Sequence, residues 1–321
     1  MPAVTSPLPS SGPSVGVMGA GAVGWFFAAR LARAGAHVTA VARPAHVDAV
    51  AREGLHVQSP AGDDTVPVTA SADPQVLADT DVVLVTVKST DTAAAAAALA
   101  PVIRDDTLVV SVQNGVDNAW RLREQLRQPV APGVVYVSVE MSGPGRLRHN
   151  GGGRLIVGAP LAAGDAGAAG RLSGLVALCE RAGIACHASD DVRVELWTKL
   201  TTNCAYNAAS ALTTLRYGRL AHDAGIRMLM ASVVDEVAAV AAAEGVPVTR
   251  AGLAEAVRAI AEVMPGALSS TAQDLLAHRP TEVAHLNGFV ARRGAAHGIA
   301  TPVNQALAAL VQVVEASREP R

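Results

Sequence analysis

Short apolar runs alternate with alanine-rich stretches over the first part of the chain. Val15–Met18, His37–Ala42, Val82–Val87 and Leu108–Val112 are rich in β-branched residues and nearly continuous in apolar character. Runs of that length read as strands buried on both faces. Between them lie helical stretches at Ala22–Ala34, Ala45–Glu53, Thr92–Ala100 and Asn118–Gln128. The alternation predicts a parallel sheet covered by helices on both faces. Val134–Val139, Arg146–Arg148 and Leu155–Gly158 add strands with little helix between them, and a helix over Ala163–Ala182 leads to a last strand at Ile184–Ala188.

Beyond residue 190 strand signals vanish. Helical stretches follow at Val192–Ala209, His222–Glu244, Arg250–Val263, Thr281–His297 and Val303–Ala316, separated by Gly245-Val246-Pro247, Pro265-Gly266 and Gly298 to Pro302. The pattern therefore divides into a floppy Pro/Ser-rich tail over 1–14, an α/β domain over 15–190 and an all-helical domain over 191–321.

Composition narrows the chemistry. The chain has 321 residues, half of them hydrophobic and 17% charged, with a formal net charge of -2. Nothing concentrates positive charge, so nucleic acid is not an expected partner. No run resembles a membrane span or a signal peptide, and the cytoplasm is the expected compartment. Cys179, Cys186 and Cys204 have no CxxC spacing and read as reduced thiols rather than metal ligands.

Gly19-Ala20-Gly21-Ala22-Val23-Gly24 follows the first strand and opens the first helix. In that context the first glycine permits a tight turn, the second lets backbone approach a pyrophosphate, and the third lets helix and strand pack closely. The fingerprint makes the first domain Rossmann-type. An NAD-type site ends its second strand with an acid. Here Arg43 stands there, and a guanidinium suits a 2′-phosphate, favouring NADPH; the alternative is an ordinary surface arginine. Lys88 and Asn114 each lie beyond the carboxyl end of a strand, where open α/β sheets bind ligands. Gly151-Gly152-Gly153 reads as a loose connection between strands, and Asp63-Asp64 as a turn.

Lys199, Asn203 and Asn207 are spaced i, i+4, i+8 and form one stripe on a helix. An ammonium and two carboxamides make a poor core and a good lining for a small polar ligand. With the glycine loop, Arg43, Val-Lys88, Gln113-Asn114-Gly115, Ser269-Ser270-x2-Gln273-Asp274, Thr281-Glu282, Leu286-Asn287-Gly288 and Ala296-His297-Gly298-Ile299 to Pro302, the chain resembles the ketopantoate reductase family from about residue 15 to residue 316.

That resemblance implies a helical domain like the C-terminal domain of 6-phosphogluconate dehydrogenase, and NADPH-dependent reduction of a 2-keto acid in pantothenate synthesis. It implies Lys199 as the catalytic acid, and Asn203, Asn207 and Ser270 as substrate contacts. Asn114, Val139 and Glu282 join the glycine loop, Arg43 and Lys88 around the cofactor. Read alone, Glu282 would be a helix N-terminal acid and Ser269 or Ser270 a cap. Two departures bear on the substrate: Ala208-Ala209 follow Asn207 where relatives carry Pro-Leu, and Tyr217 stands where some carry another asparagine. Reduction of a different 2-keto acid, or an NADPH-sensing protein without catalysis, are the competing readings. A homodimer is compatible with the helical half, as is a monomer.

Overall fold

A computed structural model describes residues 13–161 and 166–317. Most of the expected tail lies outside the described residues, and Ser14 already pairs in the first strand. Two compact units form. The first comprises residues up to Val87, Asp91–Gln113 and Asn118–Asp190; the second comprises Asp191 onward together with Lys88–Thr90 and Asn114–Asp117.

The first unit is built on β1 (Ser14–Met18), α1 (Ala22–Arg33), β2 (His37–Val41), α2 (Pro44–Glu53), β3 (Leu55–Ser59), β4 (Gly62–Val66), β5 (Thr69–Ser71), β6 (Val82–Val85), α3 (Thr92–Leu99), β7 (Leu108–Ser111), α4 (Asn118–Gln125), β8 (Val130–Gly143), β9 (Arg146–Gly158), α5 (Ala166–Arg181) and β10 (Ala185–Ser189). The strand order is β4-β3-β9-β8-β7-β6-β1-β2-β5, with β10 also pairing β9. From β8 to β5 every pairing is parallel. Pleating sends Val82 and Leu84 into the core under α1 and α5, while Val83 and Val85 face the core with α3 and α4. Both faces are thus buried, which is why these strands read as unbroken apolar runs.

The four strands expected to form a parallel sheet do so, and the further strands introduce antiparallel pairs. β8 and β9 run antiparallel, as do β3 and β4. The β8–β9 link is too short for the crossover that parallel pairing needs, and Gly145 turns it at φ +65°. Gly151-Gly152-Gly153 is part of β9 rather than a connection, with all three at positive φ. A Cβ on Gly153 would lie 3.0 Å from the Phe26 ring. Asp63 and Asp64 belong to the mostly exposed β4, not to a turn. A polar edge strand has too little apolar alternation to be seen in sequence.

The second unit contains α6 (Val192–Thr213), α7 (Tyr217–His222), α8 (Ala224–Ala243), α9 (Arg250–Val263), α10 (Ser270–Leu276), α11 (Asn287–Ala296) and α12 (Pro302–Ala316). α6 packs against all of these except α11 as principal neighbours. Side chains of Asp191, Asp223, Thr249 and Ser269 cap the starts of α6, α8, α9 and α10. The continuous helix expected over Thr281–His297 is broken. A single 3₁₀ turn at Val283–His285 precedes α11, and buried Asn287, the first residue of that helix, donates from Nδ2 to the Cys204 carbonyl and to Asn304 Oδ1.

Candidate active site

The glycine loop in the first unit has the geometry its sequence predicts. Gly19 adopts φ +86°, and a Cβ there would lie 2.2 Å from Val87 Cγ1. The amides of Gly19 and Ala20 donate to the Val41 carbonyl at 3.1 and 2.8 Å, tying the turn to the end of β2. A Cβ on Gly24 would meet Thr86 Oγ1 at 2.6 Å and Val17 Cγ1 at 2.9 Å, so only glycine allows α1 to lie this close to β1 and β6. Gly21 differs: its nearest obstacle would be 4.0 Å away. It starts α1 without a side-chain cap, so no capping side chain takes the first amides of the helix. Arg43 is exposed just past β2, at the start of α2. Val139 is half-buried on β8, opposite His149 of β9.

In the second unit α6 carries Lys199, Asn203 and Asn207 on successive turns. Leu196 and Leu200 flank them in the core. Lys199 and Asn203 are partly buried, and no protein group among the described residues takes the Asn203 amide. Burial pushes the Lys199 ammonium down to about 8, against the opposing pull of the Glu282 carboxylate. Desolvation outweighs the favourable charge, so the lysine is poised near neutrality.

Glu282 is gripped from two strand-end segments. Its Oε1 accepts from the Ser89 amide at 2.8 Å and its Oε2 from Asn114 Nδ2 at 3.3 Å. Ser89 Oγ in turn donates to the Asn114 carbonyl at 2.8 Å. Glu282 is therefore not spent on capping its own turn, where it makes no side-chain cap bond. Lys88 is held by Asp274 Oδ2 at 2.7 Å and the Pro280 carbonyl at 2.5 Å. Asp274 also accepts from Arg279 at 3.1 Å. Burial raises the Asp274 carboxyl, with Lys88 acting in the opposite direction.

The adjacent serines separate in role. Ser269 is buried, caps α10 through Ala272 N and donates to the Asn207 carbonyl at 3.2 Å. Ser270 is exposed in the first turn. Asn207 is only 2% exposed, and its Oδ1 accepts from the Tyr217 hydroxyl at 3.1 Å.

Models of the family described as ketopantoate reductase PanE/ApbA match residues 15–161, and its C-terminal part matches residues 191–315. The chain belongs to the ketopantoate reductase family. It is 35% identical to a 2-dehydropantoate 2-reductase of Caulobacter vibrioides, over 93% of this chain and 98% of that protein. The crystal structure of a PanE/ApbA family ketopantoate reductase from Ralstonia eutropha JMP134 superposes with a TM-score of 0.87 at 47% identity, covering 94% of this chain and 98% of the other. A D-mandelate dehydrogenase solved with NADH and anilino(oxo)acetate shares the fold at a TM-score of 0.88 and 22% identity, covering 95% and 98% of the two chains.

Within this ketopantoate reductase fold, three residues stand at the site that sequence reading gave no role. Ser89 supplies a backbone donor, which leaves no trace in side-chain type. Asp274 was visible only as one letter of a motif. Tyr217 looked like a departure, and its bond to Asn207 depends on α7 folding back against α6. Behind the stripe, Glu236 accepts from the amides of Val303 and Asn304, and Asn304 links through Asn287 to the Cys204 carbonyl of α6.

Proposed function

We propose that this protein is a cytoplasmic reductase that converts the keto group of ketopantoate to the hydroxyl of pantoate with NADPH. The observation that carries the reading is Lys199, held near 8 by burial on a stripe shared with Asn203 and Asn207, in a chain of this family. The first unit fits a dinucleotide. Gly21 leaves room for close backbone approach, the uncapped start of α1 could offer amides to a diphosphate, and the exposed Arg43 just past β2 suits a 2′-phosphate. Lys88, Asn114 and Val139 border the cofactor in this reading. A bound reduced nicotinamide supplies hydride to the keto carbon.

The chain's own groups do the rest. Lys199 Nζ gives its proton to the developing alkoxide, and its charge stabilises that oxygen beforehand. Glu282, fixed by Ser89 and Asn114, favours the protonated lysine. Asn203 and Asn207 hold substrate oxygens, joined by Ser270 from α10. A second reading keeps this chemistry and changes the 2-keto acid. It is favoured by the Tyr217 hydroxyl on Asn207, which alters what that amide can recognise.

The test is oxidation of NADPH and NADH by the purified protein, with ketopantoate beside a panel of other 2-keto acids. A kcat/KM highest for NADPH with ketopantoate supports the first reading, and preference for another acid supports the second. NADPH binding without oxidation by any 2-keto acid would make the protein a sensor instead.

A further inference from the structure

We propose that Tyr217 is a positioning residue that locks the Asn207 amide in one orientation, making that end of the stripe a reader of the substrate carboxylate. The inference rests on the reductase reading above and deepens it. A carboxamide has two faces, an oxygen that accepts and a nitrogen that donates, and a half-turn exchanges them. An asparagine free to turn can serve either a carboxylate or a donor such as a hydroxyl or amide. Asn207 is not free. Tyr217 Oη donates to Oδ1 at 3.1 Å, and no group among the described residues takes the Nδ2 hydrogens.

The tyrosine is itself well anchored. Its amide donates to the Ala267 carbonyl at 3.0 Å, and the next amide, of Gly218, donates to Pro265 at 2.9 Å. Its ring lies 4.6 Å from that of Tyr206 on α6. A Cβ on Gly218 would approach Pro265 to 3.1 Å, so the backbone is seated closely against that loop. Burial and the neighbouring Tyr206 raise the Tyr217 phenol above its usual value, so it remains an O–H donor throughout the working pH range. Asn207 is also fixed from behind, where Ser269 Oγ donates to its carbonyl.

With Oδ1 engaged, the group Asn207 can offer a ligand is a pair of N–H donors. Such donors match a carboxylate, which only accepts, and mismatch a primary amide turned with its nitrogen towards them. The site then discriminates a 2-keto acid from its 2-keto amide partly through a hydroxyl that never touches either.

The experiment compares a 2-keto acid that the wild-type protein reduces with its primary amide, in wild type, Tyr217→Phe and Asn207→Asp. Wild type should favour the acid. Tyr217→Phe keeps the ring and loses only the O–H. Its KM for the acid should rise about tenfold with kcat within about twofold, and its acid-over-amide ratio should narrow by about tenfold, as expected for one hydrogen bond. Asn207→Asp replaces the donor face by an acceptor and should move the preference towards the amide. A purely structural role for Tyr217 would change both substrates alike. An unchanged acid-over-amide ratio in Tyr217→Phe, or a wild type that reduces the amide as well as the acid, overturns the inference and leaves the reductase reading standing. No turnover of any 2-keto acid overturns both.

Discussion

In the proposed reduction Lys199 has to be both charged enough to donate and acidic enough to let its proton go. Burial brings it down to about 8, and Glu282 keeps it from falling further. A general acid acts in its protonated form, so the reduction should be fastest below that value. Its kcat/KM should decline about tenfold per pH unit above it. A profile with no inflection near 8 would remove Lys199 as the donor. Glu282→Gln deletes the opposing charge and should shift the inflection to lower pH. Lys199→Ala should reduce turnover by about 10²–10⁴ while fluorescence titration finds NADPH binding largely intact. Arg43→Ala should weaken NADPH far more than NADH, because only NADPH carries the 2′-phosphate to which the guanidinium is assigned. Equal weakening of the two would return Arg43 to the ordinary surface. At this scale the stripe was legible because i, i+4, i+8 needs only a helix. The bonds that hold Glu282 were not, since one donor is a backbone amide and the other comes from far along the chain.

Among the elements, α1 shows how one motif divides its work. Gly24→Ala would push a methyl against Thr86 and Val17 and should destabilise the protein by about 1–3 kcal/mol. Gly21→Ala meets open space, so its denaturation midpoint should stay near that of wild type while cofactor affinity drops. Chemical denaturation and cofactor titration of the two variants separate packing from binding. If Gly21→Ala binds the cofactor normally, the pyrophosphate does not lie over that glycine. The strands β1, β2, β6 and β7 were readable because burial on both faces demands continuous apolar residues. β4, made of Gly-Asp-Asp-Thr-Val, was not, because an exposed edge strand makes no such demand. The break before α11 was hidden for a different reason. Local propensity favours helix there, and the buried side chain of Asn287 is committed to Cys204 and Asn304 on other helices.

For the molecule as a whole, the two strand-end segments Lys88–Thr90 and Asn114–Asp117 group with the helices rather than with the sheet that precedes them. Lys88 is central to this attachment through Asp274, whose side chain is 10% exposed and keeps Arg279 as a second partner. Lys88→Met should therefore cost about 1–3 kcal/mol even without cofactor, measured by denaturant unfolding. A loss of cofactor affinity with unchanged stability would instead make Lys88 purely a ligand contact. The sequence by itself determined the division into an α/β part and a helical part, the glycine turn, and the stripe on α6, because each follows from periodicity or from a conformation open only to glycine. The tertiary structure alone decided the antiparallel β8–β9 hairpin, the hold on Glu282, the Lys88–Asp274 pair and the Tyr217–Asn207 bond. The hold on Glu282 and the Lys88–Asp274 pair join residues distant in the chain, and no local preference encodes any of these contacts, which exist only once the elements have packed.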